Sequence, residues 1–163
     1  MRRLYHRRFP DVPVPVPVDA IAEDLLGLRV VERELLGCSG MLVPWRREIR
    51  LDAAESRAAP GRRRFTLAHE IGHWICHCRR ADPGEILCRA GDVDAPGDPR
   101  EREANVFAAE LVMPEEAVRA AHADGLSPGE IAASLDVSVE ALEWRLYNLA
   151  LTDEPPVSAS PGG

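Results

Sequence analysis

The chain has 163 residues and a formal net charge of −7. That length suits one domain with a buried core. The acidic balance argues against a general nucleic-acid binder, whose footprint is basic, and no run approaches the ~18–20 apolar residues of a membrane span.

The start, "MRRLYHRR", is basic, but "PDVPVPVPVD" follows, and its prolines break the apolar core that a signal peptide needs. "VPVPVPV" favours polyproline II. Residues 1–18 are therefore expected to be a flexible leader, 19–151 the folded domain, and "TDEPPVSASPGG", residues 152–163, a disordered tail. A cytoplasmic location is expected, so Cys38, Cys76, Cys78 and Cys88 default to thiols or metal ligands.

"VDAIAEDLLG" has helical spacing at Ile21, Leu25 and Leu28, with Asp19 as candidate N-cap. "RVVERELL", "GMLVP" and "REIRLD" read as three strands. In the third, Ile49 and Leu51 form a dry face, and Arg50 and Asp52 a wet one. Pro60 to Cys76 reads as a long helix, with Pro60 suited to its first turn. Arg62, Arg63 and Arg64 sit where the helix dipole disfavours them; solvent exposure is the expected setting. A long loop is expected over His77 to Pro99. "REREANVFAAELVM" is a second strong helix, stopped by Pro114. Pro114 to Ala123 and Pro128 to Leu135 are short helices, and "SVEALEWRLYNLAL" is the last, capped by Ser138.

The long helix holds "RRRFTLAHEIGHWICHC", Arg62 to Cys78. His69 and His73 stand four apart, on one helical face. Two imidazoles so placed can reach one zinc ion at roughly 2.0–2.1 Å. Glu70 is turned about 100° away. It is poorly placed to ligate the same ion and well placed to take a proton from a metal-bound water. This is the H-E-x-x-H arrangement of two ligands and a general base. Gly72 costs about 1 kcal/mol in mid-helix, which makes sense if another backbone packs there. Ala104, Ala108 and Ala109 on the second strong helix suit that contact. Such packing brings Glu101 or Glu103 towards the metal, and a catalytic zinc needs a third protein ligand beside an open position.

"RFTLAHEIGH" followed by "EREANVFAAELVMP" resembles the ImmA/IrrE family of zinc metallopeptidases, and the resemblance runs from about Ala20 to Leu151. It implies an α+β, gluzincin-like fold: a small twisted sheet, a zincin-like H-E-x-x-H helix, a second ligand helix and a helical C-terminal segment. It implies Zn2+ as cofactor, His69 and His73 as ligands and Glu70 as base. The family pattern of a Glu followed by a small residue, Asn and a Phe-Ala pair falls on Glu101, Ala104, Asn105, Phe107 and Ala108. It points to Glu101 as third ligand, with Glu103 the fallback and Asn105 one turn on to orient Glu101. It also implies a substrate class: a protein partner, a helix-turn-helix repressor of transcription.

Zincins hold substrate as an added strand on a sheet edge, and "REIRLD" is the candidate edge. For an oxyanion stabiliser, His77, His122 and Tyr147 are the candidates. Cys76, Cys78 and Cys88 form a possible thiol cluster, for a second metal or redox control, against the plainer reading of small buried hydrophobes. "SPGEIAASLDVSVEALEWRL" has a helix-turn-helix shape, but its last helix offers Glu140 and Glu143 against Arg145. That pattern suits core packing or substrate recognition better than phosphate contact. No direct nucleic-acid partner is expected. The alternative to an endopeptidase is a non-catalytic regulatory module binding a repressor or DNA, with a structural metal. Glu70 argues against that alternative, since a structural site needs no base.

Overall fold

The computed structural model describes residues 14–78 and 98–156. In chain order these form α1 (Val18–Ala20), continued by a π-helical turn (Ile21–Leu25), then β1 (Arg29–Arg33), β2 (Gly40–Val43) and β3 (Glu48–Asp52). After them come α2 (Ala53–Ala58), α3 (Pro60–His73) with a π-helical extension (Trp74–Cys78), and α4 (Pro99–Val112). The chain ends in α5 (Glu115–Ala123), α6 (Pro128–Leu135) and α7 (Val139–Asn148). The fold is α+β, as expected. Among the described residues, no helix is long and apolar enough to cross a membrane.

The three expected strands form one sheet in the order β1-β3-β2. β1 runs parallel to β3, from Arg29 opposite Glu48 to Arg33 opposite Asp52. β2 runs antiparallel, with Gly40 opposite Leu51 and Val43 opposite Glu48. The strand expected at the edge, "REIRLD", is therefore the central one, and its ladder groups are engaged on both sides; the edges are β1 and β2. Its wet face also differs from the expectation. Glu48 is fully buried between Arg29 and Arg50, which both donate to its carboxylate. A buried charge survives only when paired, and here two guanidinium groups supply the pairing. Asp52 is buried as the N-cap of α2: Oδ1 accepts from the Ala54 and Glu55 amides, and Oδ2 from that of Leu35.

α3 lies across the sheet, with Leu67, Ala68 and Ile71 in one core with Leu42, Ile49 and Leu51. The same core takes in Ile131, Leu135, Leu142 and Leu146, so the C-terminal helices belong to it. Val16 and Val18 are fully buried there. Val16, inside the expected leader, is thus part of the core. Pro17, not Asp19, occupies the N-cap position of α1, and Asp19 is used elsewhere.

Of the three arginines at the start of α3, Arg62 is exposed as expected, whereas Arg63 and Arg64 tie distant segments together. Arg63 donates to Asp19 at 2.8 and 3.1 Å and to Glu32 at 2.8 Å. Arg64, with a side chain only 12 % exposed, donates to the Val16 carbonyl and to the Asp136 carbonyl in the turn before α7. Arg62 pairs with Glu55 of α2. Two opposite charges held close offset what the helix dipole costs, which is about 0.3–1 kcal/mol per charge.

Ser127 and Glu130 form a capping box at the start of α6, and Ser138 caps α7 by accepting from the Ala141 amide. Asp136 turns the chain between them at φ 53°. Arg145 is buried, donating to the Met113 carbonyl and pairing with Glu110. It is the only cation in α7, so that helix presents no basic side chain for a phosphate. Of the loop expected over 77–99, residues 79–97 lie outside the described residues, as does Cys88.

Candidate metal centre

The site is made by two helices crossing at Gly72. A Cβ built there would lie 3.1 Å from the Ala104 Cα, 3.1 Å from Phe107 Cδ1 and 3.2 Å from the Ala104 carbonyl oxygen. Glycine lets the α4 backbone come this close without the helices giving way. Ala104 and Ala108 are fully buried at this crossing. Because Glu101 and Asn105 lie on that face of α4, one turn apart, close approach at Ala104 carries both to α3.

His69, His73 and Glu101 converge. The two Nε2 atoms are 2.9 Å apart. Glu101 Oε2 lies 3.1 Å from His69 Nε2, and Oε1 lies 3.3 Å from His73 Nε2. The three groups offer ligand atoms within 4.8 Å of one another. Glu103, the fallback ligand, points away: its side chain is 65 % exposed and its carboxylate is 3.9 Å from His77 Nδ1. Asn105 has a different partner from the one expected. Its Oδ1 is 2.9 Å from His69 Nδ1. An amide oxygen only accepts, so Nδ1–H donates and His69 presents Nε2 as a bare lone pair to the cluster. Asn105 therefore orients His69 rather than Glu101.

These donors fit a zinc-like cation. Two imidazole nitrogens and a carboxylate oxygen are a known ligand set, and ligands at ~2.0–2.1 Å in a tetrahedron sit about 3.3 Å apart, close to the separations found. With Nδ1–H given to Asn105, His69 Nε2 is a bare lone pair 2.9 Å from His73 Nε2, with the Glu101 carboxylate beside both. Burial, together with the neighbouring histidine in the case of His73, holds both imidazoles below their ordinary pKa, so both are neutral at pH 7. Neutral imidazole is the ligating form.

Glu70 is buried, and among the described residues neither its Oε2 nor His73 Nδ1 has a hydrogen-bond partner. Burial first, and then the charge of Glu101, push the Glu70 carboxyl up to about 8, against a small opposing effect of the Leu42 amide. Leu42 belongs to edge strand β2. A Cβ on Gly40, in the same strand, would lie 2.5 Å from Thr66 Cγ2 and 3.1 Å from Glu70 Oε1. The β2 edge thus runs directly beside the Glu70 carboxylate.

Of the other candidates, Tyr147 and His122 stand on helices that carry none of the three ligands. Tyr147 is an exposed ring on α7, 6.1 Å from the ring of Trp144, and His122 is exposed on α5. His77 has its ring 5.3 Å from that of His73. Cys38 is buried, and Cys76 and Cys78 are partly buried free thiols. Among the described residues, the three-ligand group contains no cysteine. Burial, with Glu103 for Cys76 and Glu70 for Cys78, raises both thiols, Cys78 to about 11; they stay protonated and are weak ligands. The spacing of Asn105 from Glu101 suggests Glu101 as its partner; its contact with His69 depends on how α3 and α4 cross, which the sequence does not display.

The sequence model of peptidase family M78, described as the IrrE N-terminal-like domain, matches residues 24–147. Among curated proteins there is no match.

Proposed function

This chain belongs to peptidase family M78, and from that premise we propose that it is a zinc-dependent endopeptidase acting on a regulatory protein. The observation that carries the reading is the meeting of His69, His73 and Glu101 beside a buried carboxylate, Glu70, that ligates nothing. Zinc held by those three side chains supplies Lewis acidity to a substrate carbonyl and to a water.

The remaining work falls to the chain's own groups. Glu70 takes the proton of the attacking water at its free carboxylate oxygen and returns it to the amide nitrogen that leaves. Burial pushes the Glu70 carboxyl up to about 8, and a cation held beside it would favour the carboxylate again, which suits a group that must take a proton and return it. Asn105 fixes the His69 tautomer. The β2 edge beside Glu70 can take an extended peptide as a further strand, aligning one peptide bond with the carboxylate. A helix-turn-helix repressor is the substrate we propose, from the family resemblance, with no direct contact to nucleic acid; the buried Arg145 and exposed Glu140 and Glu143 of α7 support that exclusion. A cytoplasmic setting goes with this substrate.

The test is Glu70→Gln. It should keep about one zinc per chain by elemental analysis and lose cleavage of a co-encoded repressor by about 10²–10⁴-fold, the usual contribution of a general base. A variant that cleaves at the wild-type rate removes Glu70 from the mechanism.

A further inference from the structure

His69 and His73 are held by the middle of α3, but Glu101 stands in the first turn of α4, immediately after Pro99 and Arg100. First turns have unsatisfied amides and are the least constrained part of a helix. Among the contacts that fix this one, the Arg102 amide donates to the Asp98 carbonyl at 3.2 Å, and two others bear on Arg100. Asp98 caps it, its Oδ1 accepting from the Arg100 amide at 2.9 Å. From the other side, His77 Nε2 lies 3.2 Å from the Arg100 carbonyl oxygen. A carbonyl only accepts, so Nε2–H is the donor.

His77 is well placed to act as such a clamp. It stands in the π-helical turn that extends α3, a departure from α geometry that often accompanies functional sites. Its side chain is only 10 % exposed. Its ring stands 5.3 Å from that of His73, next in the histidine row. Its acceptor belongs to the residue that precedes Glu101. Its Nδ1 is 3.9 Å from Glu103, too far for a hydrogen bond. With Nε2–H engaged, His77 is occupied in a way that does not suit an oxyanion stabiliser.

We propose that His77 is a positioning residue for the metal centre: it grips the first turn of α4 and thereby holds the Glu101 carboxylate against His69 and His73. The inference rests on the metal reading of that site. Partners that orient ligands change metal affinity by about 10–100-fold when removed, and His77 acts one residue away from the ligand, which places it at the lower end.

The experiment compares two replacements of similar bulk in the full chain. His77→Met fills the space without an N–H donor; His77→Gln keeps an amide donor. Zinc affinity is read by chelator competition, the visible spectrum of the cobalt-loaded protein reports ligand geometry, and the melting temperature of the metal-free protein reports folding. The expected result is an affinity loss on the order of tenfold for His77→Met with an altered cobalt spectrum, while His77→Gln stays close to wild type in both. If both variants bind like wild type, or both lose affinity only in step with metal-free stability, the positioning role is wrong. If wild type itself binds no zinc, the metal reading falls and this role with it. Wild-type zinc binding with an unaffected His77→Met overturns the positioning role alone.

Discussion

The α3–α4 crossing gives the sharpest test, through Gly72→Ala. In an ordinary exposed helix this change stabilises by about 0.8–1.0 kcal/mol. Here the new Cβ would start 3.1 Å from the Ala104 Cα and Phe107 Cδ1 and 3.2 Å from the Ala104 carbonyl. Carbon contacts are most favourable at roughly 3.5–4.0 Å, so the helices must give by a few tenths of an ångström. Phe107 can rotate, but Ala104 meets the new atom with backbone and cannot. Overpacking of this kind costs about 1–3 kcal/mol. The net expectation is a loss of about 0–2 kcal/mol, or up to about 8 °C in melting temperature for a chain of this size. The effect on the site should be larger than that on the fold. Glu101 and Asn105 flank Ala104, and metal–ligand distances tolerate only about ±0.2 Å, so zinc affinity should fall on the order of tenfold. Gly129→Ala is the control, because nothing lies within 4 Å of a Cβ there. Urea unfolding of the metal-free proteins and chelator competition separate the two effects. If Gly72→Ala gains the full propensity increment and binds zinc like wild type, the close crossing does not hold the site together.

Glu101→Ala should lose zinc on dialysis against a weak chelator and lose cleavage, while Glu103→Ala stays loaded and active; the reverse ranking would mean that the wrong glutamate faces the histidines. Asp52 is held below the ordinary carboxylate range by the amides of Glu55, Leu35 and Ala54. Its contribution is therefore complete above the unfolded pKa of about 3.9 and lost as pH falls through the lower folded value. Asp52→Asn should reduce stability at pH 7 and flatten the acid limb of the stability curve, and parallel curves in urea at pH 7 and pH 3 would refute this. Cys76→Ser should leave zinc content unchanged, since the thiol is protonated and outside the ligand group; an apo protein after that change would make Cys76 a ligand.

Much of the site was legible because it is local. Four-residue spacing on a helix already puts His69 and His73 on one face and turns Glu70 aside, whatever surrounds them. The Ser138 cap is local in the same sense. What stayed hidden depends on contacts across tens of residues. Nothing within "REIRLD" says that β1, nineteen positions earlier by register, pairs along its second side and makes it central. Nor does "RRR" reveal that Asp19, Glu32 and Asp136 come to meet it. Alternation marks Asp52 as wet and cannot see that a buried carboxylate is satisfied by three amides. Glu101 lies between these cases. Helix packing left Glu101 and Glu103 open, the family pattern chose between them, and the crossing at Gly72 supplies the physical reason.

That crossing also explains why the helix pair is organised for chemistry more than for stability. α3 buries Leu67, Ala68 and Ile71 against the sheet, an apolar face sufficient to hold it. In the same helix Glu70 and His73 are only 6 % and 5 % exposed, and among the described residues each has a buried polar atom without a hydrogen-bond partner. An unsatisfied buried group costs about 1–3 kcal/mol, so two of them amount to a sizeable part of the roughly 5–15 kcal/mol by which domains are stable. Apolar residues of similar volume would avoid that cost and leave the fold intact. The opposition is resolved if the unpartnered atoms serve an occupant and a substrate: the histidine row turned to a cation, and Glu70 Oε2 left free for a proton. Strain of this sort gathers where a site must be ready before its ligand arrives, and here it gathers on one turn of α3, beside the β2 edge and against the first turn of α4.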